Sequence, residues 1–125
     1  MHLDVLTISY SDPKAPTIFE NSLKNTGFAV IRDHPIETDL INQVYDEWNT
    51  YFSSDSKMNF IFDEEKQDGY FPYLTENAKG STSKDLKEFY HIYPWGRIPD
   101  IISSSTMTLY NQLTEVASTL LGWLE

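Results

Sequence analysis

The chain is 125 residues long with no cysteine, and its 19 acids against nine bases give a formal net charge of −10. That length fits one ordinary domain, able to bury roughly two thirds of its unfolded surface. The charge opposes nucleic-acid backbones and anionic lipid heads, and the missing thiols exclude disulfides and thiolate metal sites while leaving the redox compartment open.

Residues 4–10, "DVLTISY", form a β-branched stretch expected to be a first strand, ended by the turn signal Ser11-Asp12-Pro13. Pro13 and Pro16 suit only a first helical turn, so a helix is expected from about Ala15 to the stop at Gly27. The four-residue apolar run 28–31 reads as a strand covered on both faces. Thr38 is placed to cap a second helix, whose stripe Leu40, Ile41, Val44, Trp48 and Phe52 is amphipathic. Residues 53–84 lose periodicity and read as a long irregular loop, a kind that is often functional. "EFYHIYP" then alternates as a strand does and is stopped by Pro94. A last helix is expected from Ser103 to Ser105 onward, with Leu109, Leu113, Val116, Leu120 and Leu124 at helical spacing. Three strands alone would leave edges that normally need cover, so the chain reads as incomplete. The N-terminus has an acid where a signal peptide would carry positive charge, and no segment approaches about 20 apolar residues. A soluble, cytoplasmic protein without membrane or nucleic-acid partners is expected.

Three histidines could serve a metal: His2, His34 and His91. His2-Leu3-Asp4 has the H-x-D spelling of a two-histidine, one-carboxylate iron site, but at an extreme terminus no rigid strand would hold both ligands. His34 follows a strand without a partner histidine at helical or hairpin spacing, and reads as a structural residue whose ring hydrogen-bonds the turn. His91 alternates with Phe89 and Tyr93 and reads as packed. The residues therefore point to no metal site and no catalytic residue. The five glycines form no phosphate-cradling loop, and no G-x-S-x-G surrounds a serine. Asp63, Glu64 and Glu65 read as a solvated run rather than a paired catalytic carboxylate. The aromatics of "GYFPY" either plug a core or line a ligand pocket.

The segments "TGFAVIRDHPI", "TYFSSDSK", "DGYFPY" and "LKEFYHIYP" occur in an order that resembles the N-terminal region of the isopenicillin N synthase-like family. These are non-haem Fe(II) dioxygenases, most of them 2-oxoglutarate-dependent. The matching positions are Gly27-Phe28, Val30, His34, Tyr51-Phe52, Lys57, Gly69-Tyr70, and Lys87-Glu88 with Tyr90. Two positions depart from the family pattern. Pro35 stands where a glycine usually follows the turn histidine, and Ser54-Asp55 replaces a leucine-proline pair.

The resemblance implies an α+β fold. Its helices and strands would pack on and extend a double-stranded β-helix (jelly-roll) barrel, with residues 1–125 forming a single N-terminal domain that ends before the barrel. The family's iron ligands and its R-x-S cosubstrate motif belong to that barrel, and neither Arg32 nor Arg97 begins an R-x-S. By resemblance His34 is the family's non-ligand turn histidine, and Tyr70, Phe71 and Tyr90 are the expected substrate-pocket residues. Fe(II) and 2-oxoglutarate are implied for a full-length member, and no cofactor for this chain. The expected function is to support a catalytic barrel and shape its substrate pocket, without catalysis alone. The expected partner is a catalytic β-helix domain in the same or a separate chain, or a second copy. The competing expectation is a stand-alone acidic protein–protein interaction module; a small carboxylate hydrolase has no supporting motif.

Overall fold

The computed structural model describes residues 4–73 and 86–125. The H-x-D spelling that includes His2, and residues 74–84 of the expected loop, fall on or across positions outside them. The fold is α+β. Among the described residues, three α-helices and one 3-10 helix accompany four short strands in two two-stranded sheets. No helix among the described residues is long and apolar enough to cross a membrane. The chain forms two compact units, Met1–Ile41 with Thr108–Glu125, and Asn42–Met107.

In the first unit, β1 (Thr7–Ser9) pairs in parallel with β2 (Val30–Arg32), and α1 (Ala15–Thr26) connects them. Proline in the first turn starts α1, because its missing N–H would have no helical partner there. Gly27 ends it in the left-handed region at φ 79°, donating its N–H to the Leu23 carbonyl at 2.8 Å. Ser22 is buried yet satisfied: its hydroxyl donates to the Phe28 carbonyl at 2.6 Å and accepts from the Leu6 N–H at 3.0 Å. Ile8, Ala15 and Phe19 make the core, with Ala29, Ile31, Leu120 and Trp123 packed on it. Trp123 meets Phe19 edge-on at 5.5 Å.

Within this chain the run 28–31 is covered on one face. Ala29 and Ile31 pack on the core, whereas Phe28 is 69% and Val30 50% exposed. A continuous apolar run marks both faces as apolar; here the face carrying Ala29 and Ile31 packs on Ile8, Ala15 and Phe19. Leu113 and Leu124 of the last helix, α3 (Ser105–Gly122 and the turn after it), are likewise exposed.

In the second unit, the expected irregular loop proves partly ordered. It holds a 3-10 helix, η1 (Asp55–Phe60), and a strand, β3 (Gly69–Phe71), so the described residues form four strands rather than three. Ser54 caps η1 by accepting from the Ser56 N–H, and the Asp63 carboxylate accepts from the N–H groups of Glu65 and Lys66. Such elements are held by side-chain caps and tight turns, and a three-residue strand is too short to display an alternation. β3 pairs antiparallel with β4 (Phe89–His91). The end of α2 (Thr38–Phe52) lies across this pair, and Tyr51, Tyr70 and Ile102 form a second core with Trp48, Phe52, Phe60, Tyr90 and Ile98 around it.

Candidate functional site

The register of β3 and β4 sorts the expected pocket residues. Tyr70 stands opposite Tyr90, and Phe71 opposite Phe89. Because side chains alternate along a strand, the two tyrosines share the face toward α2 while Phe71 and Phe89 share the other. Tyr70 is 1% exposed and sits in the core rather than at a surface. Tyr90 is half-buried and reaches the wall of a hollow of about 350 Å³, whose other walls include Trp48, Phe52, Ile92 and Thr106. Phe71 stacks on Phe89 at 4.4 Å and meets His91 at 4.6 Å, so its ring belongs to an aromatic layer with Phe62. Phe89 and Glu88 also border the hollow. The structure thus brings Tyr70 and Tyr90 to one face, but only Tyr90 borders the hollow.

Four aromatic residues, Trp48, Phe52, Phe89 and Tyr90, line the hollow. Trp48 lies 5.0 Å from Tyr90 and 5.8 Å from Phe52, centre to centre. Both polar tips are turned inward: Trp48 Nε1 donates to Thr106 Oγ1 at 2.9 Å, and the Tyr90 hydroxyl donates to the Arg97 carbonyl at 2.7 Å. Burial pushes the Tyr90 phenol up to about 12.

Beside the hollow, Glu88 Oε2 accepts from Lys57 Nζ at 2.9 Å and from the Tyr70 hydroxyl at 2.5 Å. Lys57 also donates to the Phe52 carbonyl at 2.9 Å, tying α2, η1 and β4 together. Burial opposes ionisation of Glu88, but the hydrogen bonds from Tyr70 and Lys57 outweigh it and hold the carboxyl below its ordinary 4.5. A second pair, Asp68 with Arg97, was not legible in the sequence. Asp68 is fully buried and accepts from the Arg97 N–H and, at 3.0 Å, from Nη2, which also donates to the Ile61 carbonyl at 2.8 Å. A Cβ at Gly69, whose φ is 115°, would come within 2.6 Å of Arg97 Nη2, so the guanidinium passes where only glycine leaves room. Burial likewise opposes ionisation of Asp68, and the bonds from Arg97 prevail, lowering it from 3.8.

Both carboxyls are lowered in the fold, so their stabilisation is present above the unfolded values and is lost as pH falls through the folded ones. Thermal stability is expected to be level from neutral pH down to about pH 5 and to fall steadily below about 4.5. Circular-dichroism melts across that range, in dilute protein because the isoelectric point is near 4.5, would show the decline. A Tm unchanged between pH 5 and 3 would remove both carboxylates from the stabilising set.

The expectation for His34 is corrected in one respect. Its Nδ1 is buried and has no hydrogen-bond partner among the described residues. The turn is held by Asp33, in the left-handed region at φ 57°, whose carboxylate accepts from Ser9 Oγ at 2.7 Å and Arg32 Nη1 at 3.0 Å. Among the described residues, no three His, Cys, Asp or Glu side chains gather where a metal could sit. Their arrangement does not fit an iron site.

The chain matches the family model described as "non-haem dioxygenase in morphine synthesis N-terminal" over residues 5–115. It belongs to that family. Its fold also matches the crystal structure of a "Putative oxygenase" from Shewanella oneidensis with a TM-score of 0.82 and 40% identity. The match covers 98% of this chain and 42% of that one, so the chain spans less than half of its solved relative. No curated protein matches it. The resemblance drawn from "TGFAVIRDHPI" and "LKEFYHIYP" is therefore confirmed at the level of the family, and the chain is an N-terminal region of the dioxygenase type.

Proposed function

We propose that this dioxygenase N-terminal region is a structural and pocket-shaping part of a non-haem Fe(II)/2-oxoglutarate-type oxygenase, without catalysis of its own. The observation that carries the reading is the family match over residues 5–115 of a chain that covers less than half of its solved relative. When bound, Fe(II) would supply oxygen activation and 2-oxoglutarate the reducing electrons; both would be held outside this chain, by a catalytic β-helix domain. This chain's part would be to present Tyr90 and its neighbours to the substrate and to fix them through the Glu88 and Asp68 networks. Exposed Phe28 and Val30 on β2 favour, as a second reading, a stand-alone acidic interaction module that covers this face with a partner protein or a second copy.

The test is to read the coding sequence past Glu125 and to assay both products. A continuing frame with H-x-D, a later histidine and R-x-S is expected, and the longer protein should convert 2-oxoglutarate to succinate in the presence of Fe(II). The 125-residue chain alone should produce no succinate and show no stoichiometric Fe(II) uptake by calorimetry. Succinate formation by the chain alone, or Fe(II) binding that His34→Ala abolishes, would overturn this reading. A stop codon directly after Glu125 would favour the interaction module.

A further inference from the structure

We propose that the hollow walled by Trp48, Phe52 and Tyr90 binds an organic cation, an alkylated or quaternary ammonium group, with Glu88 as its counter-charge. The hollow lies wholly within the unit Asn42–Met107, and its volume of about 350 Å³ falls among small-ligand sites. Four half-buried aromatic residues border it, Trp48, Phe52, Phe89 and Tyr90, and the Tyr90 and Phe52 ring centres lie 5.0 and 5.8 Å from that of Trp48. The faces of such rings carry negative potential, and a cation over them is attracted most where water is excluded.

The hydrogen-bonding pattern selects charge sign. Trp48 and Tyr90 have spent their donors on Thr106 and on the Arg97 carbonyl, so neither ring offers a proton to an anion. Among the described residues no lysine or arginine lines the hollow, the nearest stacked cation being Lys87 Nζ at 5.0 Å from the Phe89 ring centre, whereas Glu88 does line it, with its side chain 13% exposed. Lys57 and Tyr70 both bond Glu88 Oε2. They fix the carboxylate and offset part of its charge without placing a cation among the hollow's lining residues. At longer range the net charge of −10 draws cations and repels anions. A quaternary ammonium also has no donors to satisfy, matching a lining of four aromatic residues and one carboxylate.

This site needs only residues of the second unit, so its failure would leave the proposed function standing, and the reverse holds as well. The test is calorimetric titration of the 125-residue chain with choline and with 3,3-dimethyl-1-butanol, which has the same shape without the charge. Choline is expected to bind about tenfold tighter than the alcohol. Glu88→Gln should weaken choline and leave the alcohol unchanged. Because that change also removes a Lys57 partner, Ile92→Lys serves as a second variant: it sets a like charge at the rim and should abolish choline binding in a chain whose circular dichroism is unaltered. Equal affinity for the two probes, no binding of choline to the folded chain, or choline binding unaffected by Ile92→Lys would each overturn the assignment.

Discussion

Tyr51→Ala is expected to unfold the unit Asn42–Met107. Tyr51 has no exposed surface, and its ring meets those of Trp48, Phe52, Phe60, Tyr70 and Tyr90 at 5.3 to 6.3 Å. It is the one ring in contact with all of the others named. Truncating a buried aromatic to alanine costs about 3–5 kcal/mol, since the surrounding rings cannot collapse into the space. The loss also strips the Lys57 carbonyl of the hydroxyl that bonds it at 3.1 Å, and so loosens η1. A domain's whole stability is about 5–15 kcal/mol, and a small unit with two short strands lies at the low end. Near-ultraviolet circular dichroism should lose its aromatic signal at room temperature. Tyr51→Phe, which keeps the ring and drops only the hydroxyl, should stay folded with a cost of about 1 kcal/mol. An unchanged melt for Tyr51→Ala would mean that this aromatic cluster is not what holds the unit.

Removing Asp68 comes second in effect. Asp68→Ala leaves the Arg97 guanidinium without its counter-charge and frees the Arg97 N–H that the carboxylate accepts. Breaking a fully buried pair from one side costs about 3–5 kcal/mol; the Arg97 side chain keeps 29% of its surface, so water recovers part of that and about 2–3 is expected. In Tm this is a fall of more than about 10 °C for a unit of this size. The double variant Asp68→Ala with Arg97→Met removes the orphaned charge together with its partner, and should melt above the single variant. If the double variant melts lower, the cost lies in packing around Gly69 rather than in the unpaired charge.

The aromatic cluster shows how far sequence pattern reached and where it stopped. Trp48 and Phe52 were legible as an apolar stripe, because a helix repeats its faces every 3.6 residues and the spacing is local. Tyr51 stands outside that stripe, yet it is the buried residue, and Trp48 is only half-buried. A stripe gives the side of the helix that faces apolar material; which ring goes deepest depends on β3 and β4, 18 to 40 residues beyond Tyr51.

The sequence by itself determined the local events. The helix from Ala15 to the Gly27 stop, a strand in the apolar run 28–31, the strand within "EFYHIYP" and the last helix all follow from proline and glycine stereochemistry and from side-chain patterning. The ordered motifs "TGFAVIRDHPI" to "LKEFYHIYP" also carried the family. Only the tertiary structure decided what lies between distant segments. It gave β3 its partner, placed Tyr70 in a core and Tyr90 beside a hollow, joined Lys57 to Glu88 across 31 residues and Asp68 to Arg97 across 29, and exposed Phe28 and Val30. Ion pairs and cross-strand registers have no periodic signature, because their geometry is fixed by the closure of the chain on itself and not by any property of neighbouring residues.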